Sequence, residues 1–182
     1  MKRMGLSANE KSNLLGIPVI FIFGSLFHFL YAWSGRSAIV GAIAAVNESV
    51  WEHQKLILIP MIGWWTLYFL FRKGSNQIDP QRWFTALLVS LIVSILVIPF
   101  AYYFYTGSLG VHLLVVDILI FLLAVAVGQC LGIHFYRHSE GLPINVSIVT
   151  IVLIVLLFIA FTFAPPHLPW FKESLTGRYG IY

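Results

Sequence analysis

Residues Trp83 to Tyr105 read WFTALLVSLIVSILVIPFAYYFY, an apolar run without a single Asp, Glu, Lys or Arg. A helix rising 1.5 Å per residue crosses a hydrocarbon core of about 30 Å in roughly 20 residues, so this stretch is long enough to span a bilayer. Runs of similar length flank it at about Leu14 to Trp33, Val50 to Phe71, Val111 to Tyr136 and Val146 to Ala164. The expected fold is all-α, a polytopic membrane helix bundle of about five transmembrane helices in a single membrane domain over 1–182. Residues 38–47 are small and apolar but too short to cross, which predicts an interfacial or re-entrant segment, and 165–182 form an outer tail.

Composition agrees. Hydrophobic residues make up 59% of the chain and charged ones 10%. Five spans consume most of the 182 residues, so no soluble catalytic domain fits and any chemistry occurs in or against the bilayer. The first run is too long for a signal-peptide core, is interrupted by His28 and leads to no small-residue cleavage site, which predicts a retained span. The single cysteine, Cys130, cannot form an intramolecular disulfide.

The net charge of +4 follows from loop asymmetry rather than from a nucleic-acid surface. Lys2, Arg3, Lys11, Arg72, Lys73, Arg82 and Arg137 would lie on one side, and Arg36, Lys55, Lys172 and Arg178 on the other, so the expected orientation is N-terminus in, C-terminus out. Lys73-Gly74-Ser75-Asn76 and Gly141-Leu142-Pro143 are then inner turns, and Thr106-Gly107-Ser108, followed by Gly110, an outer one. Trp33, Trp51, Tyr102, Tyr103, Tyr105, Trp170 and Phe171 would mark the outer interface.

Against this apolar background, Asn47-Glu48-Ser49-Val50-Trp51-Glu52-His53 concentrates polar and ionisable groups at the mouth of the second span. Such groups are costly at that depth and usually functional. Helical spacing would stack Glu48 over Glu52 and Ser49 over His53, and two stacked carboxylates need a cation or a shared proton between them. The structural alternative is a helix cap from Asn47 or Ser49, with acids favoured by the positive helix end. Capping accounts less well for Glu52 and not for His53.

The expected topology brings His28, His112, Asp117 and His167 to the same side. Asp117 is the one acid well inside an apolar run and needs a partner, for which His53, His28 and Lys55 are candidates, unless it is a neutral interhelical hydrogen bonder. The proline-rich segment Pro165 to Phe171 cannot continue a helix and would fold back over the outer mouth. At the opposite end, His134 and His138 stand one turn apart, a spacing that can hold zinc but also suits a solvated interfacial pair.

The run Asn47 to Lys55 and the ending Gly177-Arg178-Tyr179-Gly180-Ile181 resemble a family of small bacterial multi-pass membrane proteins of unknown function, which implies a bacterial cytoplasmic membrane but no activity. Ser49-x-x-x-His53, Asp117 and His134-x-x-x-His138 are also similar to the pattern of the alkaline ceramidase and progestin-receptor-like membrane hydrolases, where such residues surround an intramembrane zinc. That superfamily has seven spans. Here the fourth span separates His134 and His138 from His53 and Asp117 by about 30 Å.

The function expected from these residues is a membrane-embedded hydrolase or acyl transferase, dependent on zinc or another divalent metal, acting on a lipid, lipoprotein or envelope substrate at the outer leaflet. Metal ligands would come from His28, His53, His112 and Asp117, with Glu48 or Glu52 as general base and Ser49 as oxyanion donor. A metal-free version uses His53 and Glu52 as an acid-base pair. The alternatives are a cation or proton transporter or metal-binding sensor subunit, with a homo-oligomer completing the path, and a partner-binding membrane protein without catalysis.

Overall fold

The computed structural model describes residues 7–72, 78–174 and 176–182. Lys2, Arg3, Lys73 and the expected turn Lys73–Asn76 lie outside the described residues. Among the described residues, five helices are long and apolar enough to cross a membrane: α1 (Ala8–Trp33), α3 (Val50–Arg72), α4 (Pro80–Leu109), α5 (Leu114–His138) and α6 (Ile144–Phe163). A short α2 (Ala38–Gly41) sits between the first two, and a 3-10 turn (Pro169–Phe171) lies in the tail. Among the described residues the β pairing is a single bridge, Lys172 with Tyr179.

Helix ends depart from the apolar runs for identifiable reasons. α1 starts at Ala8 because Ser7 and Glu10 close a capping box, the Glu10 amide donating to the Ser7 hydroxyl and the Ser7 amide to the Glu10 carboxylate. Its polar first turn is buried against the far end of α5, where Arg137 Nε donates to Glu10 Oε1 at 2.7 Å and Asn9 donates to the Tyr136 hydroxyl at 3.1 Å. α4 starts on Pro80 under an Asp79 cap and runs straight through Thr106-Gly107-Ser108. The expected turn there is helical, since nothing at Gly107 demands a left-handed backbone; the chain turns at Gly110, with φ 65°. α5 therefore begins at Leu114, leaving His112 in the connection.

Small residues let the helices approach. Gly128 and Gly132 on α5 face Ser94 and Ser90 on α4, and a Cβ on either glycine would run into the facing hydroxyl. This is the small-xxx-small contact that membrane helices use, because lipid gives no hydrophobic drive between them. A Cβ on Gly24 of α1 would likewise meet the carbonyl oxygen of Leu56 on α3.

Alternating helix directions gather the end of α1, α2, the start of α3, the end of α4, the start of α5, the end of α6 and the tail at one face of the bundle. The tail packs there through an aromatic cluster, with Trp51 stacked 4.2 Å from Phe158 and tilted against Phe171 at 4.7 Å. Trp51, Tyr105 and Phe171 are thus buried rather than part of an interfacial belt, while Trp33 and Tyr103 stay exposed. The Ile181 amide donates to the Thr162 carbonyl, and Asn47 donates to that of Gly180, at 3.1 and 2.9 Å.

Candidate metal centre

The start of α3 decides where each polar group of the motif goes. Ser49 caps it: the Asn47 side-chain oxygen accepts the Ser49 amide at 2.9 Å and the Ser49 hydroxyl accepts the Glu52 amide at 3.3 Å. The helix begins at Val50, so Glu48 precedes it and does not stack over Glu52. The expected carboxylate pair is replaced by two separate acids with different surroundings.

Glu52 turns inward. Its carboxylate lies 2.7 Å from Lys55 Nζ and accepts the Val46 amide at 3.1 Å and the Thr162 hydroxyl at 3.0 Å. Lys55 also donates to the carbonyls of Gly41 and Ala44, at 2.8 and 3.3 Å. The two side chains are 2% and 1% exposed. A buried ion pair needs such additional hydrogen bonds to offset desolvation, and these bonds tie the α2 segment and α6 to α3. Lys55 is therefore neither an outer loop charge nor the partner of Asp117.

Glu48 turns the other way, between two imidazoles. Its Oε1 is 3.5 Å from His28 Nε2 and its Oε2 is 3.3 Å from His53 Nε2. The two rings stack with centroids 5.4 Å apart and planes inclined by 23°. One ligand atom from each of His28, Glu48 and His53 lies within 4.8 Å of the others. Two ligands of a tetrahedral zinc, each about 2.0–2.1 Å from the metal, lie about 3.3 Å apart, so small side-chain rotations would suffice to close on an ion. His53 is also oriented from behind: Nδ1 is 2.9 Å from the Ser49 carbonyl, which only accepts, so Nδ1 carries the proton and Nε2 faces Glu48. Without a metal, a second proton on His53 at Nε2 donates to Glu48; that hydrogen bond, helped by both imidazoles and opposed by burial, holds the Glu48 carboxyl below the usual carboxylate range.

The other candidates form separate groups. Asp117 accepts the Tyr105 hydroxyl at 2.7 Å and pairs with His112 Nε2 at 3.1 Å. His112 reaches it from the α4–α5 connection, where helical spacing does not apply. Asp117 is not in the ligand set. His134 and His138 have ring centroids 4.4 Å apart and planes tilted by 31° at the opposite end of α5, and His167 lies 4.6 Å from the Tyr179 ring, tilted by 36°.

A cleft of about 200 Å³ opens beside the cluster, lined by His28, Glu48, Tyr31, Arg36, Glu173 and Tyr182. The last three carry no motif, and Glu173 and Tyr182 reach the cleft through tail folding alone. The Glu173 carboxylate accepts the hydroxyls of Thr176 and Tyr182 and, at 3.4 Å, the Glu48 amide. Burial pushes its carboxyl up, but these hydrogen bonds prevail and hold it below the usual range.

No curated protein and no solved structure matches the chain, so the ceramidase-like resemblance finds no counterpart among them. A family model does match, over residues 1–181. The chain belongs to the family of unknown function DUF6512.

Proposed function

We propose that this protein is a metal-dependent membrane hydrolase or acyl transferase whose centre is formed by His28, Glu48 and His53. The observation that carries the reading is the convergence of three ligand atoms from two helices and a loop within 4.8 Å, beside a cleft. Two imidazoles and one carboxylate suit zinc, which in catalytic sites takes three protein ligands and keeps a fourth position open. Bound there, a divalent metal would lower the pKa of a water and polarise a substrate carbonyl.

The chain's own residues then have distinct parts. Ser49 orients His53 through its carbonyl, Glu173 positions Glu48 through its amide, and the Tyr182 hydroxyl borders the cleft where substrate would lie. Glu52 has no part in the chemistry, because both its oxygens are engaged beneath the surface. The reaction class is attack of water, or of a second alcohol or amine, on an acyl carbon of a lipid or lipid-linked substrate, with cleavage of the original ester or amide bond and departure of its alcohol or amine carrying the proton given up by the nucleophile. On this reading the face lies on the outer side of a bacterial cytoplasmic membrane, as the Lys and Arg asymmetry of the sequence favours.

A second reading is favoured by one detail: each Glu48 oxygen meets a different imidazole, an arrangement a shared proton also satisfies. On that reading the cluster binds protons or cations without catalysis. The discriminating experiment incubates zinc-loaded protein with phosphatidylethanolamine and phosphatidylglycerol vesicles and follows lipid products by mass spectrometry. Acyl release or transfer that is abolished by chelation and by His53→Ala supports catalysis; metal binding without any lipid conversion favours the second reading.

A further inference from the structure

The cleft contains a cation that the proposed centre does not use. Arg36 lies on its wall together with His28 and Glu48. It is exposed and forms no ion pair among the described residues, although two carboxylates border the same space. Both acids are occupied elsewhere: Glu48 by two imidazoles, and Glu173 by two hydroxyls and an amide.

The backbone at Arg36 is also unusual. With φ 61° it is the one non-glycine among the described residues in the left-handed region, directly after Gly35 at φ 69°. Its amide donates to the Tyr31 carbonyl at 3.0 Å, closing the chain back over the end of α1. Side chains other than those of asparagine and aspartate are disfavoured there, and strained backbone of this kind clusters at functional sites, although it also serves to end helices.

Charge completes the argument. A divalent ion with two neutral imidazoles and one carboxylate keeps a net positive charge; Arg36 adds another and Glu173 removes one, so the cleft is positive overall. A guanidinium presents a planar fork of donors that matches phosphate oxygens bidentately. Exposed Trp33, Phe29 and Ile39 surround this end of the bundle, as expected for side chains at the headgroup level of a bilayer.

We propose that Arg36 and the metal centre together form a receptor for a phosphate group, Arg36 holding two of its oxygens while the rest of the group faces His28 and Glu48. The inference rests on the metal-centre reading and adds the ligand class to it. The phosphate is that of a lipid headgroup or of a free phosphate compound, and the chain length of the probe separates these sources.

The test uses full-length protein in detergent, loaded with cobalt in place of zinc, titrated with inorganic phosphate and with dihexanoyl phosphatidic acid while the visible spectrum of the metal is followed. The wild type is expected to change its spectrum on titration. Arg36→Gln should retain one metal per chain but bind each probe roughly tenfold or more weakly, as loss of a charge-assisted pair implies. Arg36→Lys should fall between them. Arg36→Gly relieves the backbone strain, so it should unfold at the same or a higher temperature and still bind weakly, a combination that a purely structural arginine would not give.

Tighter binding of phosphatidic acid than of phosphate assigns a lipid headgroup, and equal binding assigns the free anion; either supports the receptor. Full metal content with equal phosphate affinity in wild type and Arg36→Gln, or no response in either, overturns this inference alone. A wild type that retains no metal overturns it together with the proposed function.

Discussion

Lys55 Nζ lies 2.7 Å from Glu52 Oε2, with both side chains essentially sealed from solvent. This pair separates the two acids of the motif: Glu52 is neutralised inside the protein, and Glu48 is left facing two imidazoles at the cleft. Removing one member of such a pair leaves an uncompensated buried charge, at a cost of about 3–5 kcal/mol. Lys55→Met and Glu52→Leu should each lower the unfolding temperature strongly in detergent, whereas the double substitution should recover part of the loss. Additive losses in the double variant would show that the two side chains do not act as a pair.

The α1–α3 contact is a second test of the packing. Gly24→Leu drives a side chain into the Leu56 carbonyl, a backbone atom with little freedom to move. Overpacking of this kind costs about 1–3 kcal/mol, and here the upper part of that range is expected. Gly63→Leu, whose added Cβ meets nothing within 4 Å, should leave stability almost unchanged. Equal thermal shifts for the two variants would contradict the observed helix contact.

The tail should loosen in acid. Hydrogen bonds hold the Glu173 carboxyl below its ordinary value of 4.5 in the folded protein, despite burial. A carboxylate depressed on folding contributes stability that is fully present above the unfolded value and is lost as pH falls through the folded one. Proteolytic sensitivity of residues 165–182 should therefore stay constant at neutral pH and rise below about pH 4.5. Glu173→Gln should remove that acid-dependent step, and a tail equally protected at all pH values would argue against the contact.

Asp117 and His112 form their own pair, fixed by the Tyr105 hydroxyl. Asp117→Asn and His112→Ala should keep the full metal content, while His28→Ala should lose it. Loss of metal in Asp117→Asn with native stability would place Asp117 in the ligand set after all.

Much of the architecture is legible from apolar run length alone, because only helices of about 20 residues satisfy their backbone inside a bilayer without partners. Helix ends are less so. The polar first turn of α1, capped locally by Ser7 and Glu10, can be buried because Tyr136, Arg137 and Tyr68 receive it, all more than 50 residues away in sequence. The motif Asn47–His53 stands out, but periodicity cannot locate the first helical residue. With α3 starting at Val50, Glu48 swings out to His28 instead of stacking over Glu52. Lys55 resembles an outer loop charge in the sequence because the Gly41 and Ala44 carbonyls that accept from it beside Glu52 reach it only in the folded bundle. Glu173, Tyr182 and Arg36 belong to no motif, and only the folded tail and the left-handed turn bring them to the cleft.

The most direct test of the account is metal content by inductively coupled plasma mass spectrometry on full-length protein purified in detergent without chelators. Wild type, Glu48→Gln, His53→Ala and the remote His138→Ala would be compared, each shown to unfold near the wild-type temperature. The account predicts close to one zinc-class ion per chain in wild type and His138→Ala, and a sharp loss in Glu48→Gln and His53→Ala. Folded wild-type protein that holds no metal after zinc is added back, or equal metal content in all four proteins, would contradict it.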